Sequence, residues 1–224
     1  MARIRATVTA LRMSTLPILS FPDHERVRLG ALYELDLLDS APDPDIDRLA
    51  ALAAHCLNMP ICLLALADRD RFWLKSRQGV DWQDYARDGS FCEYVLQGQQ
   101  GMVCPNLATD PRFTHHPQVN KGKGPIQFYA GEPVWSGAQV IGTLSVQDAR
   151  PRPDFSPVQQ HLLTEFAKVV SDAVRARQLR HLADWEKSLH ANGPVATLVW
   201  SYQDDQFMLV HRSSNLEAIL GQGA

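Results

Sequence analysis

The sequence predicts an α+β fold, an antiparallel sheet flanked by helices, with one long helix leading out of it toward the C-terminus. Three observations carry that reading. Ile61 to Ala67 is a continuous apolar run of strand length, "DRDR" follows as a tight turn, and "FWLKS" returns as a second strand. A second hairpin lies in "IQFYAGEPVWSGAQVIGTLSVQD", Ile126 to Asp148, where two apolar runs flank the turn-rich "SGAQ". From Ser156 the apolar period becomes helical, and neither glycine nor proline occurs between Val158 and Ala191.

The elements follow in order. Asp23 can cap an amphipathic helix whose stripe is Val27, Leu29, Leu32, Leu35 and Leu38, ended by "SAPDP". A second helix places Ile46, Leu49, Leu52, Ala53 and Cys56 on one face and stops at Asn58 and Pro60. After the first hairpin, Ser90 caps a short helix, "SFCEYVLQ", with Phe91, Val95 and Leu96 as its apolar residues. "GMVCPN" is a brief strand. Asn106 to Pro125 is a long loop, and loops of that length in a compact domain are functional or mobile. In the second hairpin, Gly131 and Pro133 mark a bend or an edge, because proline offers no ladder donor. Phe128 and Tyr129 point to opposite faces if that strand is regular. Ser156 caps the long helix and Pro157 suits its first position. Beyond "NGP", the tail gives strand, acidic turn, strand and short helix, too little to bury a core of its own.

Composition narrows the function. Of 224 residues, 45% are hydrophobic and 21% charged, which suits an ordinary globular chain. The length holds one domain and a piece of another. A net charge of -3, with no basic run, argues against nucleic-acid partners. No apolar run is long enough to span a membrane. Residues 1–22 read as a poorly ordered leader: Arg12 interrupts what would be the apolar core of a signal peptide. Cys56, Cys62, Cys92 and Cys104 form no C-x-x-C pair, which fits a reducing compartment and assigns no metal site.

The motifs are more specific than the topology. "ERVRLGALYELDLLDSAPDPDIDRLAALAAHCLNMPICLLALADRDRFWLKSRQG", "SFCEYVL", "LATDPRFTHHPQV", "FYAGEPV" and "IGTLSVQDARPR", in this order, resemble the GAF domain of bacterial sensory proteins. The resemblance covers residues 23–175. The tail from Ala191 resembles the first strands and helix of a PAS domain. The chain then divides into a leader (1–22), a GAF domain (23–175), a helical linker (176–191) and the beginning of an incomplete PAS-like domain (192–224).

That resemblance implies a cytoplasmic sensory module without catalytic activity of its own. It binds a small molecule or senses redox state. It relays the change to a PAS domain and to an effector outside this chain, a two-component histidine kinase or a cyclic-di-GMP enzyme. No "GGDEF" or "EAL" string occurs in the sequence. The alternatives are a ligand-free dimerisation platform and an enzyme of the methionine-sulfoxide-reductase type. In GAF domains ligands sit between the sheet, the short helix and the long loop. The resemblance therefore nominates Trp73, Phe91, Cys92, Arg112, Phe113, Phe128 and Tyr129 as pocket residues, against the reading that the aromatics only fill the core.

Neither the residues nor the resemblance names a ligand or a cofactor, so both are unknown from sequence. Cys92 at a helix start suits a reactive thiol. Covalent bilin attachment fits poorly, because Glu93 follows Cys92 where bilin-binding domains carry histidine. His115 and His116 read as members of a solvated loop. A cyclic nucleotide would need Arg112 or the helix amides as phosphate donors, whereas "DPRF" is also explained as a turn anchored by Phe113. Finally, Leu162, Phe166, Val169, Ala173 and Ala176 form a stripe by which the long helix can pair with a second copy, sheet-facing early and partner-facing after Ala173.

Overall fold

The computed structural model describes residues 23–120, 125–191, 198–203 and 206–212. The expected leader, residues 1–22, and the final helix of the tail lie outside them. Helices α1 (Asp23–Tyr33) and α2 (Pro44–Leu57) come first. Strands β1 (Ile61–Ala67), β2 (Arg71–Gln78) and β3 (Asp84–Ala86) follow, then helix α3 (Phe91–Gly98) and strand β4 (Met102–Cys104). A four-residue helix α4 (Pro117–Asn120) precedes β5 (Phe128–Ser136) and β6 (Gln139–Asp148). Helix α5 (Pro157–Ala191) is 35 residues long, and a separate antiparallel pair, β7 (Leu198–Gln203) and β8 (Gln206–Arg212), follows it.

The main sheet runs β3-β2-β1-β6-β5-β4, and every neighbouring pair is antiparallel. Both hairpins expected from the sequence are present. Two elements were not legible: β3, which is three residues long, and α4 inside the long loop. Neither is long enough to show a period.

Alternation along the strands divides the core in two. Trp73, Phe128, Ala130, Val134, Leu144 and Val146 face α1, α2 and α5. Phe72, Leu74, Leu63, Ala65 and Tyr129 face α3 and the loop after β4. The first is the outer face of the sheet and the second its inner face.

The helix caps match their residue types. The Asp43 carboxylate accepts from the backbone N–H groups of Asp45 and Ile46, starting α2. Ser156 and Gln159 exchange hydrogen bonds at the start of α5, a reciprocal capping box. Helix phase, by contrast, differs from the expected stripes. In α2 the buried residues are Ile46, Ala50, Ala53 and Leu57, while Leu52 and Cys56 are exposed. In α1, Val27 is exposed. Small alanines at 50 and 53 let α2 approach the sheet closely, which turns the longer Leu52 outward.

A buried ionic network closes one end of the sheet. Glu25 on α1 accepts from Arg28 Nε at 2.7 Å and from Arg87 Nη1 at 2.6 Å. Arg87, before α3, also reaches Glu93 at 2.6 Å, and Arg28 donates to the Ala67 carbonyl. Burial raises the Glu25 pKa, but the two guanidinium groups overcome it and hold the carboxyl at about 2 against an ordinary 4.5. A folded pKa below the unfolded one stabilises the fold above pH ~4.5, and that contribution disappears as pH falls toward ~2. Glu25→Gln is therefore expected to cost about 3 kcal/mol near pH 7 and much less at pH 3, by urea denaturation. A cost independent of pH over that window would rule out the ionic origin.

Candidate functional site

The inner face carries the group of side chains with chemical potential. Ser90 caps α3, its Oγ accepting from the Glu93 N–H at 3.3 Å. That start lowers Phe91 and Cys92 onto the sheet, where they are 3% and 1% exposed. Cys92 Sγ accepts two hydrogen bonds, from Tyr85 Oη at 3.0 Å and from Tyr129 Oη at 3.3 Å. Burial, first, and then the neighbouring sulfur push both tyrosines well above their ordinary pKa, so both stay protonated and donate.

Tyr129 explains the crowded centre of β5. A Cβ on Gly131 would stand 2.3 Å from Tyr129 Oη, so the ring lies along its own strand over the bare Cα of Gly131. Pro133 sits past the end of β4, which pairs only with Tyr129, Ala130 and Gly131, so its missing N–H breaks no bond to that neighbour. Thr143, opposite Pro133 on β6, shares the inner face. It is fully buried; its hydroxyl makes no hydrogen bond of good geometry among the described residues, and the Tyr129 hydroxyl is the polar group within its reach.

Aromatic rings close the face. Phe91 meets Phe113 edge-on at 5.2 Å and Tyr129 at 5.5 Å, and the His116 ring lies 4.5 Å away. His116 is thus half-buried rather than part of a solvated loop. Its Nδ1 accepts from the Gln118 N–H, and burial lowers its pKa. His115 is exposed, as expected.

Of the sequence-nominated residues, Phe91, Cys92, Phe113 and Tyr129 come together on the inner face. Trp73 and Phe128 do not: strand alternation puts both on the outer face, where Phe128 packs on Phe155 at 5.0 Å. Arg112 stands at the rim. Its guanidinium bonds Asp110 at 2.6 Å and lies 4.9 Å over the Phe113 ring. Arg112 holds the Asp110 carboxyl far below the usual range, so its charge is already matched. The Asp110–Phe113 turn forms as expected, with the Phe113 N–H bonding the Asp110 carbonyl. Cys104 is pushed up to about 11, by burial and then by Asp110. Sequence reasoning missed Tyr85, Thr143 and His116. Tyr85 lies on a strand too short to recognise. Thr143 carries no signal until its face is known.

On α5 the buried line is Leu163, Ala167, Val170 and Val174. Leu162 and Phe166 are partly buried and pack at the margin of the outer core. Val169 is 47% exposed, and Leu179 and Leu182 are 62% and 53% exposed.

The fold has counterparts. The GAF domain family model matches residues 44–174, more than half the chain. The chain belongs to the GAF domain family. The chain resembles "Cyclic di-GMP phosphodiesterase PA2567" of Pseudomonas aeruginosa, 28% identical over 179 residues, covering 80% of this chain but 30% of that protein. It therefore spans less than a third of that relative's length. Among solved structures, the GAF domain of an Acinetobacter phosphoenolpyruvate-protein phosphotransferase superposes with a TM-score of 0.51 at 19% identity, over 69% of this chain and 97% of that one. Free methionine-R-sulfoxide reductase from Neisseria meningitidis, in complex with its substrate, gives 0.52 at 15% identity, over 75% and 99%. At these identities the two structures establish the shared fold alone. Among the described residues of this GAF protein no helix is long and apolar enough to cross a membrane, and no group of His, Cys, Asp or Glu is placed to hold a metal ion.

Proposed function

We propose that this GAF domain is the non-catalytic input module of a cytoplasmic bacterial signalling protein. The inner face around Cys92 receives the input, a small molecule or an oxidant of the thiol. Helix α5 carries the output into a PAS domain, begun by β7 and β8, and on to an effector outside this chain. The likeness to a cyclic-di-GMP phosphodiesterase favours a cyclic-di-GMP enzyme as that effector. The observation that supports input at this face is the pair of tyrosine hydroxyls on one buried sulfur, next to a buried threonine hydroxyl that only Tyr129 approaches. A ligand or an oxidised sulfur changes that hydrogen bonding and hence the seating of α3.

Native mass spectrometry of the chain purified from its own host tests this. The expected result is a retained small molecule, or oxygen added at Cys92 after peroxide and absent in Cys92→Ser. If neither is found while dimerisation persists, the domain is a ligand-free platform. That second reading draws support from the tight aromatic filling of the inner face.

Dimerisation through α5 belongs to both readings. The exposed Val169 and Leu179 lie on the side of the helix away from its buried line, and the exposed Leu182 lies at its flank. Val169→Glu combined with Leu179→Glu is expected to turn a dimer into a monomer by light scattering. Because both side chains are exposed, folding stability should change by no more than ~0.5 kcal/mol per site. An unchanged dimer mass would exclude this seam.

A further inference from the structure

On the outer face, away from Cys92, a cleft of about 320 Å³ runs along β2 from Trp73 to Gln78 and is bounded by Ser40, Pro42, Asp47 and Gln83. Its volume falls in the range of small-molecule sites. Lys75 lines it and is 3% exposed. The ammonium donates to Ser40 Oγ at 2.7 Å and to the Ala41 carbonyl at 2.6 Å. Both acceptors are neutral. Among the described residues the third N–H has no acceptor, and no carboxylate lies within ion-pair distance of Nζ. The two nearby carboxylates are engaged elsewhere: Asp47 accepts from Ser76 Oγ at 2.6 Å, and Asp43 pairs with Arg177 of α5 at 3.2 Å. The Trp73 ring, 5.8 Å away, gives only a weak cation–π contact. Arg77, the second cation of the cleft, bonds the neutral Gln83 side chain.

Buried charges in proteins are normally paired, because leaving one unpaired forfeits its hydration without replacement. Here a buried cation faces a cleft of ligand size with no direct ion pair. Asp43 and Asp47 act on it only from a distance and are engaged elsewhere, Arg177 repels it, and Arg77 adds a further cation to the lining. We propose that this cleft binds a small molecule bearing a carboxylate or phosphate group, which forms the ion pair that Lys75 lacks.

Such a ligand would reach the output helix by a short path. Lys75 holds the loop at Ser40 and Ala41; two residues on, Asp43 caps α2 and grips Arg177. Arg177 also donates to the Leu35 carbonyl. A charge arriving at Lys75 perturbs this loop and the Asp43–Arg177 pair together, a contiguous route from cleft to α5.

The test is an NMR titration of the full chain with inorganic phosphate and, separately, with succinate. It follows the Trp73 indole and the backbone amides of Ser40, Asp43, Ser76 and Arg177. At least one of the two anions is expected to give saturable millimolar shifts at these positions, and the tighter one names the recognised group. Lys75→Met should weaken binding by at least about tenfold, as expected for loss of a charged hydrogen bond, and Lys75→Arg should restore part of it. Arg177→Met should keep saturable shifts at Ser40 and Ser76 and abolish those along α5, because it removes the Asp43 pair that joins the loop to the helix. In the wild type the bound anion should also protect Lys75 from amine acylation, a readout that does not depend on any variant folding. Shifts that fail to saturate with both anions, unchanged affinity in Lys75→Met, or absence of protection would each overturn the proposal.

Discussion

Tyr129→Ala is expected to remove about 4 kcal/mol of folding stability, the range for deleting a buried aromatic ring. Tyr129 is fully buried and touches Phe91, Cys92 and the backbone of Gly131. The surroundings cannot collapse into the space. Gly131 offers no side chain, and the sheet beneath is held from both sides by β4 and β6. A cavity therefore remains, lined by Phe91, Cys92 and Thr143. Tyr129→Phe keeps the ring and loses only the hydroxyl with its bond to the Cys92 sulfur and its approach to Thr143, so it should cost about 1 kcal/mol. Urea denaturation of both variants measures the difference. Added phenol should restore part of the loss in Tyr129→Ala, since its ring matches the space and its hydroxyl can reach Cys92 and Thr143 at the polar end. A loss below about 2 kcal/mol would show that the inner face repacks freely, which would undercut its role as a defined input site.

Gly142→Ala is the second large effect, expected at about 3 kcal/mol. Gly142 lies in β6 between β1 and β5. A Cβ there would stand 2.2 Å from the Ala65 carbonyl oxygen and 3.0 Å from Leu66 Cα. Those are backbone atoms of a central strand, so no side-chain rotation relieves the clash. The β1–β6 ladder must open instead. Gly137 provides the comparison. It turns the second hairpin at φ 57°, and a Cβ added there would meet nothing within 4 Å. Alanine at that position therefore meets only the left-handed backbone penalty of about 1 kcal/mol. Equal losses at the two sites, by thermal or urea melts, would mean that the close approach at Gly142 does not limit packing.

Much of the architecture was readable from residue patterns. The caps at Ser90 and Ser156, both hairpins and the long helix follow from local rules that act within a few residues. The Asp110–Phe113 turn was readable for the same reason. The candidate site was readable only in part. Phe91, Cys92, Phe113 and Tyr129 meet on one face, but Trp73 and Phe128, equally aromatic and also buried, belong to the other. Which face a strand residue takes is fixed by register against its neighbours, and a strand read alone does not reveal that register. Helix phase behaved likewise: Leu52 and Ala53 are adjacent in α2, and contact with the sheet and α5 buries the alanine.

By itself, the sequence determined the order and type of the main elements, the GAF family and the absence of a basic run for nucleic acid. These rest on local periodicity, capping and overall charge. Tertiary structure alone decided what the distant residues do to one another. It brought Tyr85 and Tyr129 onto Cys92, joined Glu25 to Arg87, and left Lys75 buried without a direct ion pair among the described residues. The physical reason is range. Backbone preferences act over a few positions, whereas hydrogen bonds and ion pairs between residues dozens apart exist only after the sheet has set their distance.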